Sequence, residues 1–335
     1  MYCRFKYWKH ALNGPHYHSL HILSGTLKGV QIMPLKTGRF YESADVAIDR
    51  DKCITCGLCV KVCKGAPLFV EDQIIKVDQN RVFGCIACGQ CMAVCPTKAI
   101  KINGRGMTPD DLIELPKMEE IANYEHLMSL MLSRRSVRNF KNQRIEREKI
   151  AKILEAAATA PNGLGSSDVE VLILDGNDKV EEFTLDLVNL LKKNKWVFSP
   201  LMLKAYKPFM SRETYESIES FASTAIDTFL KKYEEGQNWL TYSAPLAMYF
   251  HSSPYADPID PYIPATYAML AAQTLGLGSC MIGTPQFILN FFGKRTKKKY
   301  GIPLKNKNGL MIIFGYPSVK YSFAIKRTFS DIKFY

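Results

Sequence analysis

The sequence predicts an α+β protein in two unequal parts: a small cysteine-rich domain, then a larger domain with a mixed central sheet flanked by helices. Three observations predict it. Eight of the ten cysteines fall between residues 53 and 95. A glycine- and proline-marked stretch (Gly104, Gly106, Pro109, Pro116) follows them and reads as a linker. Beyond it, helical and extended patterns are mixed without a regular strand–helix–strand alternation, which favours α+β over a doubly wound sheet.

The 335 residues suffice for one large domain and one small one, and 47% hydrophobic content is ordinary for a globular chain. No apolar run reaches the length of a membrane span. The net charge of +12 is uneven. Six of the 44 Lys/Arg lie in residues 1–41 with no acid, leaving 38 basic against 32 acidic residues in the body. That balance gives little reason to expect a nucleic-acid partner.

Residues 1–40 are expected to be a basic, poorly ordered extension, with Met33 the natural start. They hold four of the six histidines (His10, His16, His18, His21) and no clean apolar core for secretion. A short histidine tract of this kind rarely forms a defined metal site alone.

The cysteine-rich domain is placed at residues 41–102. Cys53, Cys56, Cys59 and Cys63 form one C-x2-C-x2-C-x3-C run, and Cys85, Cys88, Cys91 and Cys95, followed by Pro96, form a second. This is the iron–sulfur spacing in which three thiolates wrap one cluster and the fourth reaches the other. Cys53, Cys56, Cys59 and Cys95 are therefore assigned to one [4Fe-4S] cluster, and Cys85, Cys88, Cys91 and Cys63 to a second. Gly57 and Gly89 hold matching places in the loops, where a side chain would collide with the inorganic core. Zinc knuckles do not usually add a third and fourth cysteine at this spacing, and disulfides need a secreted context. Cysteine ligation without a disulfide pattern implies a reducing, cytoplasmic setting. Residues 46–48 and 99–102 are predicted to be short strands that pair, with a further strand at 74–77. The domain resembles the bacterial two-[4Fe-4S] ferredoxins, departing from them at Lys64, where proline is usual.

After the linker (103–120), the second domain spans 121–335. Leu127, Leu130 and Met131 recur at helical spacing. A second helix is predicted from Glu148 to Ala160, stopped by Pro161, Asn162 and Gly163. Strands are predicted at 169–174, 245–250 and 310–314. Residues 180–240 read as mostly helical, with breaks at Pro200 and Pro208. A small-residue helix at 265–275 closes on Gly276, Leu277 and Gly278.

Four stretches in this domain together resemble the nitroreductase family of FMN-dependent oxidoreductases. Residues 134–140 are similar to its Arg-Arg-Ser-x-Arg-x-Phe signature, and 154–161 to its helix ending in Ala-Pro. Residues 275–283 resemble its glycine-rich segment, and Gly315, Tyr316 and Pro317 followed by Lys326 and Arg327 its C-terminal end. The resemblance implies that Arg134, Ser136 and Arg138, with Arg135 close by, bind the FMN phosphate and ribityl chain. Arg327 with Lys326 would close on the phosphate, a task suited to guanidiniums, which hold phosphate bidentately. Backbone amides at Ile282 and Gly283 would face the reactive ring edge. The family's Asn and Gln flavin contacts are replaced by Gly165 and Ser167, so Asn162, Ser166 and Ser167 are the candidates to stand in. The resemblance also implies a homodimer with the flavin between subunits.

No strand–G-x-G-x-x-G–helix unit supplies a nicotinamide domain. The expected activity is an iron–sulfur flavoprotein oxidoreductase. Electrons from reduced ferredoxin or NAD(P)H would pass to FMN and on to a nitroaromatic, quinone or similar flat acceptor; no catalytic acid or base is nominated. Trp196, Trp239 and the aromatics of 198–221 are candidates for the substrate wall, although core packing explains such residues equally well. The basic run 294–299 suits an acidic electron carrier or a solvated helix end. The rival readings are a non-catalytic ferredoxin-type carrier with a docking domain, and an iron–sulfur sensor that binds nucleic acid.

Overall fold

The cysteine-rich domain is tied together by two antiparallel ribbons. In this computed structural model, which describes residues 44–63, 67–82, 84–163 and 167–335, strand β1 (Ala44–Ile48) pairs with β4 (Ile100–Gly104). Strand β2 (Leu68–Glu71) pairs with β3 (Ile74–Val77). The β1–β4 pairing and β3 match the sequence expectation; β2 was not anticipated. The readings made for residues 1–40, Lys64, Gly165 and Ser166 lie outside the described residues.

Two short helices, α1 (Leu58–Val62) and α2 (Gln90–Val94), follow the two cysteine loops. Gly57 and Gly89, the residues before them, share φ of +74°, and Thr55 and Ala87 are also left-handed at φ 57° and 56°. The loops are thus conformational copies. Glycine is needed there because the left-handed region costs an L-residue steric energy. Ala44, Leu68, Ile75, Ala87, Met92, Ile100 and Ile102 bury a small core beside the cysteines. So few apolar residues make metal ligation a large share of this domain's folding free energy.

The larger domain is built on one four-stranded sheet in the order β5 (Val169–Asp175), β6 (Leu246–Ser252), β8 (Asn308–Gly315), β7 (Gly278–Ile282). Its strand pairings are antiparallel, and among the described residues one parallel bridge, Ser136 to Ser279, adds the mixed component at the β7 edge. Both faces are covered. Leu246, Met248, Phe250, Leu310, Ile312 and Phe314 point to one core layer, packed on α4 (Arg147–Ala158) and α9 (Tyr262–Thr274). Ala247, Tyr249, Met311 and Ile313 point to the other, beneath α5 (Asn177–Asn194), α8 (Ser223–Glu234) and α10 (Thr284–Phe291). Burial on two sides is why β6 and β8 read as continuous apolar runs rather than as alternation.

Helix α3 (Tyr124–Ser133) begins at Asn123, whose side chain accepts from the His126 amide at 2.9 Å. It ends at Arg134, which has extended backbone. Between α5 and α8 lie α6 (Pro200–Tyr206), α7 (Arg212–Ser217) and a π-helical turn at Ile218–Ala222, so the 180–240 region is helical with breaks near both prolines as expected. Gly276, at φ 75°, terminates α9, with the Leu277 amide donating to the Ala272 carbonyl at 2.9 Å.

Edge strand β7, residues 278–282 in the glycine-rich stretch after α9, was not among the expected strands, and two expectations need correction. The basic run is a helix, α11 (Lys294–Lys299), but not a fully solvated one. Lys297 is 3% exposed and donates to Asn290 Oδ1 and the Asn306 carbonyl, and Lys299 pairs with Asp186 and Glu182. The Nζ of Lys297 bonds backbone and amide oxygens inside the fold, while Lys294, Arg295, Lys298 and Lys299 stay exposed. Phe198, a candidate wall residue, is core: it packs against Phe287 and Phe292. Trp196 and Trp239 remain substantially exposed.

Candidate functional site

The cysteines separate into two sets of four. Cys53, Cys56, Cys59 and Cys95 line one cavity together with Thr55, Gly57 and Thr97. Cys59 faces Cys53 and Cys95 across it. In the second set, Cys91 faces Cys85, Cys63 and Cys88. The fourth cysteine of each run has crossed to the other run's loop, the exchange that the spacing predicts. Among the described residues no group of three or more His, Cys, Asp or Glu is gathered for a single metal ion. A cubane needs no such gathering, because it spreads its four thiolates over four irons. Amides supplement the thiolates: Ala99 donates to Cys95 Sγ at 3.3 Å and Ala87 to Cys85 Sγ at 3.4 Å. Such bonds to sulfur tune cluster potentials.

The second site forms where residues 134–140 leave α3 and run beside β7. The Val137 amide donates to the Ser279 carbonyl at 3.0 Å, and Phe140 bridges to Pro317. Two glycines make this seat possible. A Cβ on Gly278 would come within 2.7 Å of Val137, and one on Gly315 within 2.6 Å of Phe140. The segment therefore lies flat against the sheet edge, with the arginines outward.

Arg135 is held by its own surroundings, donating to the Arg134 carbonyl at 2.9 Å and to the Phe323 carbonyl at 3.2 Å. That second bond ties the C-terminal segment to the site, and Arg327 comes to face Arg134. Half-burial, then the nearby charges of Arg327 and Arg135, pull the Arg134 guanidinium below its ordinary value. Arg134, Ser136 and Arg138 also face the buried Cys280 thiol, which burial pushes up and those neighbours partly pull back. No carboxylate pairs with Arg134, Arg135, Arg138 or Arg327 among the described residues. Arg134 and Arg135 are partly buried and Arg138 and Arg327 exposed, so like charges gather here with no acid among them, a setting that favours an anion. A phosphate dianion fits these donors. Lys326 is exposed beside them.

Ile282 closes β7 and Gly283 follows it; Ile282 is buried, and nothing stands within 4 Å of a Cβ on Gly283. The backbone at Gly283 is therefore open on the side where a Cβ would stand. The remaining nominated residues lie elsewhere. Ser167, whose Oγ accepts from the Val169 amide at 3.2 Å, sits at the start of β5. Gly163, next to Asn162, donates its amide to Asp260 Oδ1 at 3.0 Å. Strands β5 and β7 are three spacings apart, roughly 14 Å at about 4.8 Å each. They also meet the sheet from opposite ends: Val169 pairs with Ser252, whereas Gly278 pairs with Gly315. Within one chain, Ser167 therefore stands at the corner diagonal to Ser136 and does not join the arginine cluster.

Sequence reasoning missed Tyr242, whose ring lies under Arg138 with the guanidinium carbon 5.7 Å from its centroid. It also missed the role of Arg135 as the anchor of the C-terminal segment. No local signal marks either one, since both depend on segments about a hundred or more residues apart.

An arginine-rich sheet edge and, earlier in the chain, a doubled iron–sulfur spacing are the parts of an iron–sulfur flavoprotein oxidoreductase. The profile of the nitroreductase family matches residues 131–316, more than half of the chain, and a 4Fe-4S dicluster domain matches residues 45–96. The chain belongs to the nitroreductase family, and it is an FMN-dependent oxidoreductase with a ferredoxin-type domain in front. That membership sets aside the reading of a carrier with a mere docking domain.

None of the curated proteins compared matches the chain. Among solved structures, it is similar to a nitroreductase with bound FMN from Desulfitobacterium hafniense, at 18% identity over 62% of this chain and 97% of that one, TM-score 0.45. It is likewise similar to a nitroreductase with bound FMN from Bacteroides fragilis, at 19% identity over 63% and 100%, TM-score 0.43. A BluB-like flavoprotein from Clostridium difficile stands at 18% identity, over 62% and 99%, TM-score 0.42. Likenesses at this level carry no argument about the site. No helix among the described residues is long and apolar enough to cross a membrane.

Proposed function

We propose that this chain is a cytoplasmic oxidoreductase that carries single electrons through two [4Fe-4S] clusters to FMN and on to a nitroaromatic, quinone or similar flat acceptor. Cys53, Cys56, Cys59 and Cys95 hold one cluster, and Cys85, Cys88, Cys91 and Cys63 the other. Arg134, Ser136, Arg138 and Arg327 hold the FMN phosphate, with Lys326 adding charge, and the backbone of Ile282 and Gly283 lies along the ring edge. FMN supplies the conversion of one-electron supply into two-electron chemistry. The chain's own residues would orient it and neutralise its phosphate.

The observation that carries this reading is the acid-free convergence of Arg134, Ser136, Arg138 and Arg327 on one edge strand. The diagonal position of Ser167 supports a homodimer. In it, the 162–167 loop of a second copy, carrying the counterparts of Asn162, Ser166 and Ser167, would complete the flavin site. Reduced ferredoxin is the expected donor, because a cluster module offers a one-electron entry that NAD(P)H does not need; hydride from NAD(P)H directly to FMN is the second entry. The test is anaerobic purification followed by an absorption spectrum and turnover with each donor in parallel. Flavin bands over broad cluster absorbance, and faster turnover with ferredoxin, are expected. A chain that takes up no FMN on reconstitution would overturn the flavin site.

A further inference from the structure

Just before β6, Tyr242 and Ser243 are consecutive non-glycine residues in the left-handed region, at φ 54° and 49°. Such strain persists only where the surroundings over-determine it, and its position invites a functional reading. Here the surroundings do so. Asn238 Oδ1 accepts from the Leu240 and Thr241 amides at 3.1 and 2.9 Å. Its Nδ2 donates to Glu181 Oε2 at 2.9 Å and to Thr241 Oγ1 at 2.8 Å. The hydroxyls of Thr184 and Thr241, both fully buried, meet at 2.6 Å. Asn177 Nδ2 donates to the Ser243 carbonyl at 2.9 Å, and the Ala244 amide to the Thr241 carbonyl at 3.1 Å.

The result of this bracing is the placement of one ring. Tyr242 is half-buried, packed by one side against the core under the sheet, and Arg138 lies over its face at 5.7 Å. No carboxylate orients Arg138 among the described residues; it lies between the Cys280 thiol and the Tyr242 ring. A guanidinium over an aromatic face is attracted by the ring quadrupole, and stacking restricts the rotamers that a long side chain would otherwise sample. A charge held in place before its ligand arrives loses less entropy on binding.

We propose that Tyr242 is a positioning residue of the phosphate cradle: a strained turn fixes its ring, and the ring aims Arg138 at the anion. The inference rests on the flavin reading given above. Its test uses the full, cluster-loaded chain stripped of flavin, with FMN and riboflavin as the two probes.

Tyr242→Met is expected to weaken FMN binding about two- to fivefold, the scale of an exposed cation–π contact. Riboflavin, which has no phosphate, should bind the variant as it binds the parent. Tyr242→Phe keeps the ring face and should restore FMN affinity to within twofold. Arg138→Ala should weaken FMN by more than tenfold, and adding Tyr242→Met to it should cost nothing further. Unchanged FMN affinity in Arg138→Ala would sink the cradle itself. A loss in Arg138→Ala with additive or absent effects of Tyr242→Met would instead sink only the positioning role. A Tyr242→Phe loss equal to that of Tyr242→Met would transfer the role to the hydroxyl and overturn the proposal. Should Tyr242→Met melt early, the ratio of FMN to riboflavin affinity measured below its melting temperature replaces the absolute affinity, and a ratio equal to the parent's counts against the proposal.

Discussion

Arg134 illustrates how a single residue can be stable only in company. Its guanidinium is half-buried against two other cations, and the neighbours depress its protonation instead of supporting it. Replacing Arg134 or Arg327 by Ala should weaken FMN binding by about ten- to a hundredfold, since a charged hydrogen bond contributes about 1.5–3 kcal/mol. Riboflavin affinity should scarcely move, and flavin fluorescence titration distinguishes the two. The apo form of either variant should melt no lower than the parent, because removing one member of a like-charged cluster relieves repulsion.

His251 gives a second residue-scale expectation. It lies 3% exposed on β6, its Nδ1 at 3.0 Å from Asn306 Nδ2, with Lys297 nearby. Burial first, then the Lys297 charge, lower its value to about 4. Because the folded value lies below the unfolded one, the unfolded chain binds the extra proton first. Stability contributed by neutral His251 is complete above about pH 6.5 and is lost as pH falls toward 4, about 3 kcal/mol in all. Glu170, which Asn306 also bonds at 3.2 Å, pulls the other way. Burial raises its value, so protonation of the folded form offsets part of the loss at the acid end. Denaturant midpoints between pH 7 and 4 should fall in the parent and flatten in His251→Gln. A parallel decline in both would remove His251 from this account.

At the scale of elements, the cradle depends on how closely two backbone segments approach. Gly278→Ala would drive a methyl into Val137, which cannot move outward without lifting the arginine segment off β7. Overpacking of this kind costs about 1–3 kcal/mol. The variant should lose FMN affinity, and Val137→Ala added to it should recover part of both stability and binding. Calorimetry and flavin titration on the pair check this. The same contact explains why the sequence of 275–283 was hard to read. One glycine caps α9, another admits Val137, and a third leaves open space, three separate demands that look alike as letters. Strand β7 was hidden for that reason, whereas β6 and β8 announced themselves through unbroken apolar runs.

For the molecule as a whole, the cluster module and the flavin domain have separate buried cores. Loss of metal should therefore unfold one and spare the other. Chelation under air should abolish a low-temperature melting transition and leave the flavin-bound transition in place. Replacing Cys91 by Ala should lower iron from about eight atoms per chain toward about four. Homodimerisation makes its own demand. Mixing an Arg134→Ala chain with a chain altered at Ser167 should restore about half of the flavin sites in the heterodimer, one in two being built from intact halves. Recovery of none would place the whole site within one subunit.

The iron–sulfur half could be read from letters because its information is local. Ligand spacing, loop glycines and helix starts all fall within eleven residues of one another, and the second run repeats the first. The arginine signature and the glycine-rich segment were also visible, but only as separate pieces of chain. Tertiary structure alone brought Arg327 to Arg134, tied Arg135 to the Phe323 carbonyl, buried Lys297 and set Tyr242 beneath Arg138. It also set Ser167 at the corner of the sheet diagonal to Ser136. The physical reason is the same each time. A pairing across roughly a hundred residues is decided by which strands share an edge and which side chains fill the space between them, and no short window of sequence contains that choice.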